Sequence, residues 1–367
     1  MRRLMFLLVS TALFAVPAIN LDLAWAESEQ KTADSRTMER ADADMREVLL
    51  KLDELGPKPL ETLTPEEARK QPTPADAVAA LLKAQGKDPE QLKKQSGVTT
   101  EDMTYPGAAG EQIPARVYKP EGIAAAAPVI LYIHGGGWVI ANVDTYDATP
   151  RALAKKAKAI VVSVHYRQAP EHKFPASHDD TLAAYKWLLA NAKSWGGDSK
   201  RVAIAGESAG GNMAMTVAMG ARDQKLQMPV HVVAVYPVAG TALDTPSYQE
   251  NEKAKPLNKA AMEWFFQQET ASEADLKDPR LDLVKAADLK GLPPTTIVTA
   301  EIDPLMSDGQ MLADRLSAAG VKATIKNYEG VAHEFFGMDA VVKDAAAAQD
   351  FAAKELKRAF GDKTAEN

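Results

Sequence analysis

Apolar and polar positions change their period along the chain, and each change marks a different kind of element. From about 27 to 94 the sequence is charged and alanine-rich, with apolar residues at helical spacing and Pro or Gly between segments. Within 38–55, Met45, Val48, Leu49, Leu52 and Leu55 fall on one helical face. Thr64-Pro65-Glu66-Glu67 has the form of a helix start, with Thr64 as N-cap, Pro65 at the first helical position and two acidic residues beside the positive helix end. A further helix is predicted over 74–85. No strand pattern interrupts this region, so it is expected to form helices packed on a core of their own.

Beyond 98 the period shortens. An antiparallel pair is predicted over 99–105 and 113–118, joined by the glycine-containing turn 106–110. Short apolar runs follow over 128–134, 159–166, 202–206, 231–236, 296–300 and 323–328. Helical stretches sit between most of them, over 149–158, 181–192, 209–221 and 305–319, with a last one over about 340–360. Continuously apolar strands are buried on both faces, so the chain is of the α/β class, a mainly parallel sheet flanked by helices. One segment breaks the alternation. Between 239 and about 279 the sequence is polar and partly helical, with Trp264, Phe265 and Phe266 clustered. A connection of that length is expected to be a lid or functional insertion.

Composition narrows the function classes. With 367 residues, 46% hydrophobic and 25% charged, the chain has ample material for one large core. Its net charge of −7 argues against a general nucleic-acid binder, which needs a basic face. The lack of cysteine excludes disulfides, thiolate metal sites and a cysteine nucleophile together. No His-Glu-x-x-His and no dense His/Asp cluster is present, so no metal is expected. At the start, Arg2 and Arg3 precede a mostly apolar run over 4–19, and Ala24-Trp25-Ala26 stands before Glu27. That is the pattern of a secretory leader over 1–26, which predicts an exported protein, periplasmic or secreted; the competing reading is an uncleaved anchor. No second apolar run is long enough to span a bilayer, so no stable membrane insertion is expected after cleavage.

The candidate chemistry sits at the ends of the predicted strands. Gly206-Glu207-Ser208-Ala209-Gly210 follows one strand and opens a helix, the context that makes G-x-S-x-G a nucleophile elbow. The tight turn lifts Ser208 above the sheet at a helix N-terminus, where developing negative charge is favoured. His134-Gly135-Gly136-Gly137-Trp138 closes and follows another strand, and its glycines leave N–H groups free to bond an oxyanion. The hole is assigned to the amide of Ala209 with two of those of Gly135, Gly136 and Gly137, which two being left open. Asp303, just after the strand 296–300, is the candidate acid; helix capping is its competing role and Asp308 is the second candidate. His333, after the strand 323–328, is the candidate base, and His134 is expected to brace the glycine loop. The order Ser208, Asp303, His333 is that of α/β-hydrolases.

At these residues the chain resembles the hormone-sensitive lipase family of bacterial esterases. The resemblance is carried by Pro59-Leu60-Glu61-Thr62-Leu63-Thr64-Pro65, the glycine loop and Tyr166-Arg167-Gln168-Ala169-Pro170-Glu171. The elbow with its extra Gly211, Tyr236-Pro237, Asp303-Pro304-Leu305 and His333-Glu334-Phe335 complete it. It implies an α/β-hydrolase core over 99–361, capped by the N-terminal helices of 27–98 and the insertion 239–279, with a short tail over 362–367. It also implies cofactor-free hydrolysis of small-molecule esters with short to medium acyl chains. Many relatives carry Leu in place of Gln168 and Asp or Thr in place of Glu207; a carboxylate beside the nucleophile is expected to shift its pH dependence.

The expected function is therefore a serine carboxylesterase working through an acyl-enzyme. An amidase or acyltransferase would use the same three residues, and a non-catalytic small-molecule binder on a hydrolase scaffold is the alternative of a different class. Trp138, Trp264, Phe265 and Phe266 are candidates for the pocket wall, with plain core as the competing reading. No pattern in the chain points to an oligomeric state.

Overall fold

The computed structural model describes residues 36–362, so the expected leader lies outside the described residues. In chain order, helices α1 (Ala43–Leu55), α2 (Pro65–Ala68), α3 (Pro74–Ala84) and α4 (Pro89–Lys94) lead into the hairpin β1 (Val98–Pro106) and β2 (Gln112–Pro120). Strands and helices then alternate through β3 (Ala127–Ile133), α5 (Ala148–Ala157), β4 (Ile160–Val164), α6 (Ala176–Asn191), β5 (Gly197–Glu207), α7 (Ala209–Asp223) and β6 (Val232–Val235). Helices α8 (Pro246–Glu250) and α9 (Lys259–Glu269) fill the insertion, and β7 (Thr295–Ile302), α10 (Met306–Ala318), β8 (Ala323–Ala332) and α11 (Lys343–Ala359) complete the chain.

The eight strands form one sheet in the order β1-β2-β4-β3-β5-β6-β7-β8. Pairing is antiparallel from β1 through β2 to β4 and parallel across the rest. Side chains alternate across the sheet, so each central strand feeds two cores. From β3, Val129, Leu131 and Ile133 enter the core beneath α6, α7 and α10, while Ile130 and Tyr132 enter the one beneath α5 and α11. Both faces being covered, the central strands must be apolar throughout, which is why they read as unbroken runs.

The N-terminal helices do not have a core of their own. Met45, Val48, Leu49 and Leu52 of α1 are buried in the same cluster as Tyr118, Tyr236, Phe335 and Leu356. An amphipathic stripe must be covered, and here the cover is the sheet's own second core. The Asp42 amide donates to Gly330 O at 2.8 Å, tying the helix start to β8. Leu55, which shares the predicted face, is exposed at the helix end beside Gly56. The predicted start at Thr64 is present in full: the Glu67 amide donates to Thr64 Oγ1 and the Thr64 amide to Glu67 Oε2.

The insertion and the N-terminal segment meet above the carboxyl ends of the strands. Trp264 Nε1 donates to Leu63 O at 3.2 Å, and Lys255 Nζ pairs with Asp53 at 2.8 Å. The crevice outside the carboxyl ends of a parallel sheet is where such folds place their ligands.

Candidate active site

Ser208 occupies the turn between β5 and α7 with φ 57° and ψ −119°. A non-glycine residue in that region is strained by about 1–3 kcal/mol and needs support from its surroundings. The Ser208 amide donates to Val235 O at 2.9 Å, and Ser208 O accepts the amides of Asn212 and Val238 at 3.1 and 3.2 Å. Gly210 allows the helix to start so close to β3: a Cβ there would lie 2.1 Å from Ile133 O. The residue is 5% exposed, its side chain facing a cavity and not bulk solvent.

The three predicted residues come together. His333 Nε2 lies 3.1 Å from Ser208 Oγ, and His333 Nδ1 lies 2.7 Å from Asp303 Oδ2. Asp303 is fully buried at the end of β7, and His333 is nearly so at the end of β8. A carboxylate only accepts, so Nδ1 carries the proton and Nε2 is left to accept from the serine hydroxyl. Burial works against charge on His333, but Asp303 and then Glu334 and Glu207 outweigh it, and the imidazole pKa is raised. Asp308 does not face the histidine. Its Oδ2 accepts the amides of Ala239 and Gly240, both at 2.9 Å.

The glycine loop is braced from behind. His134 Nδ1 donates to Gly135 O at 2.7 Å, its ring stacks on Tyr166 at 4.5 Å between centroids, and Tyr166 OH donates to the same carbonyl at 3.0 Å. His134 Nε2 lies 2.9 Å from His165 Nδ1. Burial drives these two imidazoles down to about 3 and about 4, so both are neutral donors and acceptors near pH 7. Gln168 Nε2 donates to Ile140 O and Ala141 O at 2.8 and 3.0 Å, which fixes the far end of the loop. Gly136 and Gly137 line the cavity with Ser208 and His333, whereas Gly135 lies behind them against the Tyr146 hydroxyl. Among the described residues no acceptor takes the amides of Gly136, Gly137 or Ala209.

The cavity measures about 550 Å³ and is walled by the N-terminal segment on one side and the insertion on the other. Ile140, Leu257, Ala261, Met262 and Phe265 supply apolar wall near the serine. Trp138 is not part of it. Its ring is fully buried, stacked near His178 and against Phe266, so it is core that holds up the glycine loop. Of the clustered Trp264, Phe265 and Phe266, Phe265 alone lines the cavity; Trp264 and Phe266 are buried in the core that continues from the sheet.

Two carboxylates near the triad have partners that no spacing announces. Glu207 accepts from the hydroxyls of Tyr132 and Tyr236 and is pushed up to about 7, first by burial and then by Glu334. Glu334 Oε1 accepts from Tyr146 OH at 2.5 Å and lies 3.8 Å from His333 Nε2. Tyr146 and Glu334 are 188 positions apart, and only the fold brings them together.

The model of the α/β-hydrolase fold family matches residues 130–337. The chain is similar to the carboxylesterase NlhH of Mycobacterium tuberculosis, 40% identical over 294 residues that cover 78% of this chain and 91% of the other. It is similar to the ethyl acetate hydrolase of Pseudomonas putida, 33% identical over 78% of this chain and 88% of that one. Among solved structures, a thermostable esterase from Pseudomonas putida ECU1011 superposes with a TM-score of 0.76 at 30% identity, covering 88% of this chain and 98% of that one.

Proposed function

The chain belongs to the hormone-sensitive-lipase-like branch of the α/β-hydrolases, and from that premise we propose that it is a serine carboxylesterase acting on small, uncharged esters. The observation that carries this reading is the unbroken line Asp303–His333–Ser208, opening onto a cavity with two free glycine amides on its wall. The relatives named as a carboxylesterase and an ethyl acetate hydrolase support an ester of modest size, as does the apolar wall around Leu257, Met262 and Phe265.

In this mechanism His333 Nε2 takes the Ser208 proton as Oγ bonds to the ester carbonyl carbon. The electron pair of the carbonyl π bond moves to oxygen, and the amides of Gly136, Gly137 and Ala209 bond the resulting oxyanion. Collapse breaks the bond to the alkoxy oxygen, which receives the proton from Nε2. Water then attacks the acyl-serine with Nε2 as base, and Ser208 Oγ recovers its proton as the acid leaves. Asp303 holds the tautomer and stabilises the imidazolium throughout.

The test is hydrolysis of p-nitrophenyl esters from acetate to decanoate by the mature protein beside Ser208→Ala. The expected result is turnover that peaks at a short or medium chain and falls by about 10³-fold or more in the variant. Folded wild-type protein that cleaves no ester, or a variant as fast as wild type, overturns the reading. The basic, apolar and small-residue order at the start of the chain supports export as well; an exported protein that still begins at Met1 would refute the predicted cleavage.

A further inference from the structure

The carboxylate of Glu334 has a placement that the triad mechanism does not use. Its backbone has φ 71° and ψ 0°, a left-handed conformation that non-glycine residues seldom adopt and that costs on the order of 1 kcal/mol or more. That turn brings the side chain back over the base it follows. Oε1 takes the Tyr146 hydroxyl at 2.5 Å and stands 3.8 Å from His333 Nε2, and the side chain keeps 22% of its surface, facing the same cavity as Ser208 and His333. At 3.8 Å the nitrogen and the oxygen do not bond directly. A polar gap of this width, open to a cavity, is one that a water molecule bridges.

We propose that Glu334 positions the water that hydrolyses the acyl-enzyme. The inference rests on the esterase reading above. Once Ser208 is acylated, Nε2 has lost the hydroxyl it accepted from and turns to water. A water between Nε2 and Glu334 directs one hydrogen at each, so both of its lone pairs are left to face the acyl carbon. Attack forms the bond from water oxygen to carbon, one proton passes to Nε2, and the other stays with the oxygen, bonded to Glu334. Collapse breaks the bond from carbon to Ser208 Oγ, which takes the proton from Nε2. The first half-reaction does not need this carboxylate, because the departing alkoxide receives its single proton from Nε2. An alcohol acting as acceptor in the second half-reaction has one hydrogen, given to Nε2, and gains nothing from Glu334.

That asymmetry defines the experiment. Glu334→Gly relieves the left-handed backbone while deleting the carboxylate, so loss of fold is not the expected outcome, and Glu334→Gln keeps the volume. With p-nitrophenyl acetate in stopped flow, at a pH high enough that His333 is neutral in wild type and variants alike, the variants are expected to show a burst at the wild-type rate, then turnover lowered by about 10- to 100-fold. In methanol–water mixtures the ratio of methyl ester to free acid is expected to rise by the same factor. A burst and a turnover slowed equally, or an unchanged product ratio, overturns the proposal while leaving the esterase reading intact. Wild-type enzyme without any ester hydrolysis would fail that reading instead.

Discussion

Asp303 gives one oxygen to His333 Nδ1 at 2.7 Å and the other to the Leu305 amide at 2.8 Å. Helix capping and support of the base were competing roles on the sequence alone; Asp303 supports the base, and its bond to Leu305 braces the turn ahead of α10, whose N-cap, Leu305, has no side-chain cap bond. Asp308, five positions on, is turned to the amides of Ala239 and Gly240 and anchors the entry to the insertion. Asp303→Asn would put an amide nitrogen beside Nδ1 and favour the tautomer in which Nε2 is protonated, lowering kcat by about 10⁴-fold with the fold intact. Asp308→Asn should retain turnover within about tenfold, since it touches no reacting atom. Steady-state kinetics of the two variants would reassign the acid if the losses were reversed.

Asp308 also gives a prediction about stability. Burial pushes its carboxyl up to about 7 from an ordinary 3.8, against the pull of the two amide bonds. The unfolded chain therefore ionises this group near 3.8 and the folded chain near 7. Over that window the folded state holds the extra proton, so wild type loses stability as pH rises from about 4 to about 7. Asp308→Asn lacks the titrating group. Its Tm relative to wild type is expected to climb across the same window, and a constant difference from pH 4 to pH 8 would show that Asp308 is ionised in the fold.

The acid limb of the pH–rate profile belongs to His333. Activity needs the neutral imidazole, and the carboxylates of Asp303, Glu334 and Glu207 overcome burial to raise its pKa. The rise of kcat/KM with pH should accordingly be centred above the usual 6.5. Glu207→Gln removes one negative charge while keeping an acceptor for one of the two tyrosine hydroxyls, so the limb should move to lower pH. A limb that stays in place would mean that Glu207 is neutral while the enzyme works.

What was legible in the chain follows from how local each signal is. Strand burial on both faces writes itself into unbroken apolar runs such as Val161 and Val162, and a tight elbow demands small residues around Ser208 within five positions. Asp303 and His333 could be placed because each follows the end of a strand that periodicity locates. The partner of α1 was not legible, because an apolar stripe says that it needs cover and not which surface provides it. Trp138 looked like pocket wall since it adjoins the glycine loop, yet at φ 63° its side chain turns away into the core. Tyr146 lies in an unremarked stretch and Glu334 stood out only as part of His333-Glu334-Phe335, and their meeting depends on two loops converging at the mouth of the sheet.

Phe265 sets the size of the cavity beside the oxyanion loop. A Cβ placed on Gly137 would come within 2.2 Å of Phe265 Cδ1, so the ring lies directly on the glycine backbone. Ala261 and Met262, one turn earlier on α9, continue the same wall. Gly137→Ala meets both this ring and a φ of 56°, and moving the loop amide aside should lower kcat by about 10²–10³-fold. Because the obstacle is a side chain and not backbone, shortening it makes room. Phe265→Ala added to Gly137→Ala should recover at least part of the loss, the strain of a left-handed alanine, about 1 kcal/mol, remaining. Phe265→Ala by itself removes the wall and should shift the preferred p-nitrophenyl ester toward longer chains, with kcat/KM for acetate lowered as its contacts are lost. If the chain-length profile does not move, the acyl group lies on another side of Ser208, and Phe265 serves the oxyanion loop alone.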